Sequence, residues 1–64
     1  MFTITCYLNW REYGAGAHFQ NWTTDVVSLK DDMIEYHTSH GRVVHVLNHS
    51  TDKETIYDAN VKGD

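Results

Sequence analysis

Five histidines and one cysteine are the residues of this chain with the most chemistry to offer. His37-x-x-His40 has the spacing of two metal ligands on one helical turn, and His45 could join either of them across the turn at 40–41. His45 and His49 would share one face of a strand, but at roughly 3.3 Å per residue they stand about 13 Å apart, too far for one ion. No second cysteine or aligned carboxylate completes a set. The candidates His37, His40 and His45 therefore read as surface and rim histidines, and no metal or other cofactor is expected. Cys6 could act as a nucleophile only if exposed beside a base. Its neighbours Phe2, Ile4 and Leu8 mark it instead as a core thiol. Asp25, Asp31, Asp32 and Glu35, then Asp52, Glu54 and Asp58, could supply a general acid–base pair. Nothing in the pattern sets two of them in an apolar pocket, so they read as solvated turns and edges. There is no phosphate loop, no Ser-His-Asp signature and no dinucleotide fingerprint. The expectation is a protein that is not an enzyme, with no catalytic residues.

The elements that must position these groups start with residues 2–10. Phe2, Ile4, Cys6, Leu8 and Trp10 alternate with Thr3, Thr5, Tyr7 and Asn9, the period of a half-buried strand. Gly14 and Gly16 mark a loose turn over 11–17. Residues 18–27 are rich in aromatic and β-branched types, with a slip in alternation that a bulge or break near Asn21 would repair. Residues 28–41 read two ways. As a helix, Ser28 is the N-cap, Leu29, Met33 and Tyr36 share one face, and Gly41 ends it. As strand, Lys30-Asp31-Asp32 is a turn and Met33–Thr38 pairs back. The middling helix propensities favour strand or irregular structure. Arg42–His49, with Val43, Val44, Val46 and Leu47, reads as a central strand covered on both faces. Ser50–Glu54 is a turn, Thr55–Val61 a last strand and 62–64 a frayed end.

The fold expectation is all-β: one domain over 1–64, a small antiparallel sheet or an OB- or SH3-like barrel of four or five strands. The alternative is α+β, a hairpin sheet carrying one helix at about 28–40. A chain of 64 residues holds a single core, and with one cysteine it cannot form an internal disulfide. Stability must come from packing, or from a partner or self-association. The lone inward thiol suits a reducing, cytoplasmic setting. No signal peptide or membrane span is read in the sequence. The net charge of −4 and only five basic residues argue against phosphate-driven binding and suit a soluble protein, or one whose partner is basic.

Several short pieces together resemble the cold-shock domain family. Tyr7-Leu8-Asn9 is similar to its aromatic pair followed by Asn, and Gly14-Ala15-Gly16-Ala17 to its Gly-aromatic-Gly-aromatic motif. Asp25-Val26-Val27 stands at the family's spacing from that motif. Gly41-Arg-Val-Val-His-Val and Asp58-Ala-Asn60-Val61 resemble its last two strands. The resemblance implies a five-stranded OB-type barrel that binds single-stranded nucleic acid. It departs from the family at Ala15, Ala17 and Val27-Ser28-Leu29, where stacking aromatics belong. Without those rings, stacking of about 1–3 kcal/mol per base is lost.

Two functional expectations follow. The first is a non-enzymatic protein-interaction module, in the manner of a viral (phage) or mobile-element accessory protein or inhibitor, that binds a larger partner. Its contact face would be Tyr7, Trp10, Arg11, Tyr13 and Trp22, residue types enriched at interaction hot spots. The competitor is an OB-like single-strand binder that stacks bases on Tyr7, Tyr13, His18 and Trp22, with Arg11, Lys30 and Arg42 on the phosphates.

Overall fold

Strand β1, Phe2–Tyr7, lies inside a four-stranded antiparallel sheet of order β2-β1-β3-β4. The computed structural model describes residues 1–59. β2 is Gln20–Thr24, β3 Val43–Asn48 and β4 Lys53–Tyr57. Two helices accompany the strands, α1 at Trp10–Ala15 and α2 at Val27–Ser39. The antiparallel sheet of the all-β expectation is present, but it is open and accompanied by helix, so the fold is α+β. Its second helix falls close to the alternative's 28–40. The predicted end of the last strand at Val61, and the frayed tail, lie outside the described residues.

The alternation in β1 works as its pattern demands, but over a shorter span. Register pairs Ile4 with Trp22 on one side and Val46 on the other, and Cys6 with Gln20 and Val44. Ile4, Cys6, Val44 and Val46 form the core with Ile34 of α2, and Phe2, Trp22 and Tyr57 pack against it. Leu8 and Trp10 do not continue that face: they are 54% and 51% exposed. The strand ends because Asn9 caps α1, its Oδ1 accepting the Glu12 backbone N–H at 2.9 Å. Asn9-x-x-Glu12 is an N-terminal capping pattern, so the expected loose turn over 11–17 is a helix followed by a cap. Gly16, at φ 71°, then takes the left-handed conformation. That C-terminal turn lets the Ala17 N–H donate to the Glu12 carbonyl at 2.9 Å.

β2 needs no break at Asn21, since its register with β1 runs unbroken from Gln20 to Thr24. The slip seen in the sequence belongs to Phe19, which precedes the strand and donates its N–H to the Cys6 carbonyl at 3.0 Å. Gln20 stands opposite the same Cys6, so the irregularity sits at the strand's start.

α2 forms despite mediocre propensities because burial of one stripe outweighs them. Lys30, Met33, Ile34, His37 and Thr38 face the sheet, with Ile34, His37 and Thr38 buried. The expected face of Leu29, Met33 and Tyr36 is a flank of that stripe, and Leu29 and Tyr36 stay exposed. Ser28 is not the cap: Val26 is, without a side-chain hydrogen bond. Buried Thr38 satisfies its hydroxyl by donating to the Ile34 carbonyl at 2.7 Å, the back-bonding open to a threonine inside a helix. Gly41, at φ 76°, ends the helix as expected. The Arg42 N–H then reaches the His37 carbonyl at 3.0 Å. β3 is central as expected, flanked by β1 and β4, but not covered on both faces along its length: Val44 and Val46 are buried under α2, whereas His45 and Leu47 on the other face are half-buried.

Candidate functional site

The odd-numbered residues of β1 and β3 face away from α2. Thr3 and Thr5 lie there, paired across to Leu47 and His45, with Asn21 and Thr23 of β2 alongside. Asn21 Nδ2 donates to Thr5 Oγ1 at 2.8 Å, Thr3 Oγ1 bonds His49 Nε2, and His45 meets Glu54 at 2.9 Å. This polar lattice ties neighbouring strands together through their side chains.

At the Tyr7 end the same face is closed by α1. Tyr13 meets Tyr7 edge-to-face with ring centroids 5.0 Å apart, and Trp10 meets Tyr13 in the same manner at 5.3 Å. His18 approaches Tyr7 at 6.3 Å. Val43, opposite Tyr7 in the register, is buried at this corner. The Trp10 indole N–H donates to Asp58 Oδ2 at 2.9 Å, which anchors the ring to the chain that follows β4. The helix cap therefore sets position as well as structure. Asn9 turns the chain so that Tyr13 meets Tyr7 edge-to-face and Trp10, three residues before it, meets Tyr13. Leu8 and Arg11 lie exposed beside them in sequence.

Of the predicted contact face, Tyr7, Trp10 and Tyr13 come together, and Arg11 stands on the same short helix. Trp22 does not join them. It pairs with Ile4 on the α2 side of the sheet, half-buried against the core. Its Nε1 is buried and has no partner among the described residues. The physical reason is the uninterrupted phase of β2, which a break at Asn21 would have reversed.

A second aromatic group lies at the C-terminal end of α2. Arg42 holds its guanidinium 5.3 Å from the Phe19 ring centre and 6.0 Å from that of Tyr36, within reach of both ring faces. Its Nη1 lies 3.0 Å from His37 Nδ1. Guanidinium only donates, so His37 accepts at Nδ1 and carries its proton on Nε2. That Nε2 is buried and has no partner among the described residues. Burial, then Arg42 and His40, push the His37 pKa below its usual value, so the ring is neutral. No local pattern signals this cluster, because Phe19 and Arg42 are far apart in sequence and only the fold joins them.

The metal candidates do not converge. His37 is only 3% exposed, His40 directs Nδ1 to the Tyr36 carbonyl at 2.8 Å, and His45 stands with Glu54 on the opposite face. Among the described residues, no three or more His, Cys, Asp or Glu side chains are grouped to hold a metal ion. Cys6 is fully buried, and burial pushes its thiol up to about 11. Of the cations assigned to phosphates, Lys30 pairs with Asp31 at 2.9 Å and lies over the Phe2 ring, and Arg42 belongs to the His37 cluster. Both lie with α2, across the sheet from the face that Tyr7 occupies. Gly14-Ala15-Gly16-Ala17 forms the last turn and cap of α1. Among the described residues, no helix is long and apolar enough to cross a membrane. Comparisons with protein-family models, with curated proteins and with solved structures find no match to this chain.

Proposed function

We propose that this chain is a small, non-enzymatic protein-interaction module that binds a larger protein through the corner built by Tyr7, Trp10 and Tyr13. The observation that carries this reading is Trp10 itself. A large aromatic is held half-exposed in one orientation by Asp58 on one side and Tyr13 on the other. Fixing a ring before binding reduces the entropy lost on association, and Trp, Tyr and Arg are the types that dominate interface energetics. Exposed Leu8 and Arg11 flank it, and Glu12 of the same helix lies next to Arg11 in sequence. A cytoplasmic accessory protein or inhibitor encoded by a virus or mobile element suits such a domain, an analogy of size and surface rather than of residues.

The competing single-strand binder draws on one observation: Tyr7, Tyr13 and His18, three of its four stacking residues, are assembled at this corner. The fourth, Trp22, and the cations Lys30 and Arg42 lie with α2 on the other side of the sheet. Titration with oligonucleotides at low salt separates the two. The protein-binding reading expects unchanged tryptophan fluorescence, whereas salt-sensitive quenching at micromolar concentration favours the nucleic-acid reading. With the partner in hand, Tyr13→Ala should cost about 2 kcal/mol of affinity, a hot-spot magnitude. An unchanged affinity would remove the corner from the interface.

A further inference from the structure

We propose that the outer edge of β2 is a self-recognition edge, on which a second copy of this chain pairs antiparallel through Asn21 and Thr23. The hydrogen-bond phase of the sheet identifies which groups are available. His49 N–H donates to the Met1 carbonyl at 2.9 Å, extending the β1–β3 ladder in the register that pairs Phe2 with Asn48. In an antiparallel ladder hydrogen-bonded and non-bonded pairs alternate, so the odd residues of β1 bond to β3 and Phe2, Ile4 and Cys6 bond to β2. Their partners are Thr24, Trp22 and Gln20. The N–H and C=O groups of Asn21 and Thr23 therefore point outward, and no strand among the described residues pairs with that edge.

Edge strands are ordinarily protected by proline, inward charge, lysine or a central bulge. β2 has none of these: residues 19–24 carry no formal charge, and the register of the strand is unbroken. The other edge differs, since β4 opens with Lys53 and Glu54. In a chain of net charge −4, this uncharged stretch is where two copies can meet without like charges opposed.

The pairing is also self-complementary. With Asn21 opposite Thr23 of the second copy, the two-fold axis passes between the Trp22 residues, which form a non-hydrogen-bonded pair with Cα atoms about 4.5 Å apart. Both indoles then lie on the α2 side and continue the core from one copy into the other.

Sedimentation equilibrium of the full chain between about 10 μM and 1 mM tests this, with circular dichroism as the check on folding. Wild type should reach twice the 7.4 kDa chain mass with increasing concentration. Asn21→Lys with Thr23→Lys sets lysine against lysine at two symmetric positions and should weaken association at least about 100-fold. Asn21→Lys with Thr23→Glu loses the same Asn21–Thr5 bond but faces Lys with Glu, and should restore the dimer. Independently of any variant, the amides of Asn21 and Thr23 should be protected from hydrogen exchange at high concentration and lose that protection on dilution. A single-chain mass for wild type at 1 mM, a dimer indifferent to the double lysine change, or concentration-independent exchange at both amides would each overturn the proposal.

Discussion

The two faces of the sheet are covered in opposite ways. Beneath α2, Ile4, Cys6, Val44 and Val46 are sealed by Ile34 and the flanking Phe2, Trp22 and Tyr57. On the reverse face, Thr3, Asn21, His45 and Glu54 are held by side-chain hydrogen bonds across the strands, and among the described residues α1 covers the Tyr7 corner. One face stabilises the fold by removing apolar area from water, and the other uses its residues for orientation. The aromatic side chains divide along the same line. Trp22 packs on the core, whereas Trp10 is fixed in place and left half in solvent. A ring left half in solvent yet held in one position suits the recognition role proposed for it.

Mutations should expose this asymmetry. Ile4→Ala opens a cavity in the sealed face and should cost about 2–5 kcal/mol, enough to unfold most of a chain this small. Thr23→Ala on the reverse face should stay within about 0.5 kcal/mol. Urea unfolding measures both, and equal losses would erase the distinction between faces. Titration gives the next effect. His37 is held neutral in the folded chain, while the unfolded chain takes up a proton near the usual 6.5. Its contribution is thus complete above that pH and is lost as the pH falls toward the depressed folded value. The urea midpoint should drop between pH 7.5 and pH 5, and His37→Gln should make the drop shallower. An unaltered pH profile in that variant would contradict the assignment.

Smaller effects probe the reverse face and its corner. Asn9→Ala removes the cap that aims Trp10 and should cost about 1 kcal/mol of stability, read from the same unfolding curves. A wild-type midpoint in that variant would mean that α1 does not depend on its cap. His45 and Glu54 should couple by only about 0.2–1 kcal/mol in a double-mutant cycle, with the coupling fading in high salt. Coupling that persists at high salt would place the pair in a drier site than the open face provides.

Much of this contrast is written in the sequence. The alternation from Phe2 to Cys6 predicts the core face, and Val43–Leu47 predicts the central strand. Gly41 predicts the end of α2. What misleads is continuation: Leu8 and Trp10 keep the period of two after the strand has stopped, and only the Asn9-x-x-Glu12 cap reveals the change of structure. α2 is hard to read because its buried stripe contains Lys30, His37 and Thr38 among two apolar residues, so periodicity barely marks it. Tyr7, Trp10 and Tyr13 can be grouped by sequence proximity. The placement of Trp22, and the meeting of Phe19 with Arg42, depend on register and tertiary packing that no local pattern encodes.

Above all, we propose that Trp10 serves binding rather than folding. The most direct test compares Trp10→Ala with wild type in two assays, urea unfolding and retention of the protein partner captured from host lysate. The expected result is an unfolding midpoint close to wild type together with loss of the captured partner. A variant that keeps the partner at undiminished affinity, or that loses binding only because it no longer folds, would contradict that role.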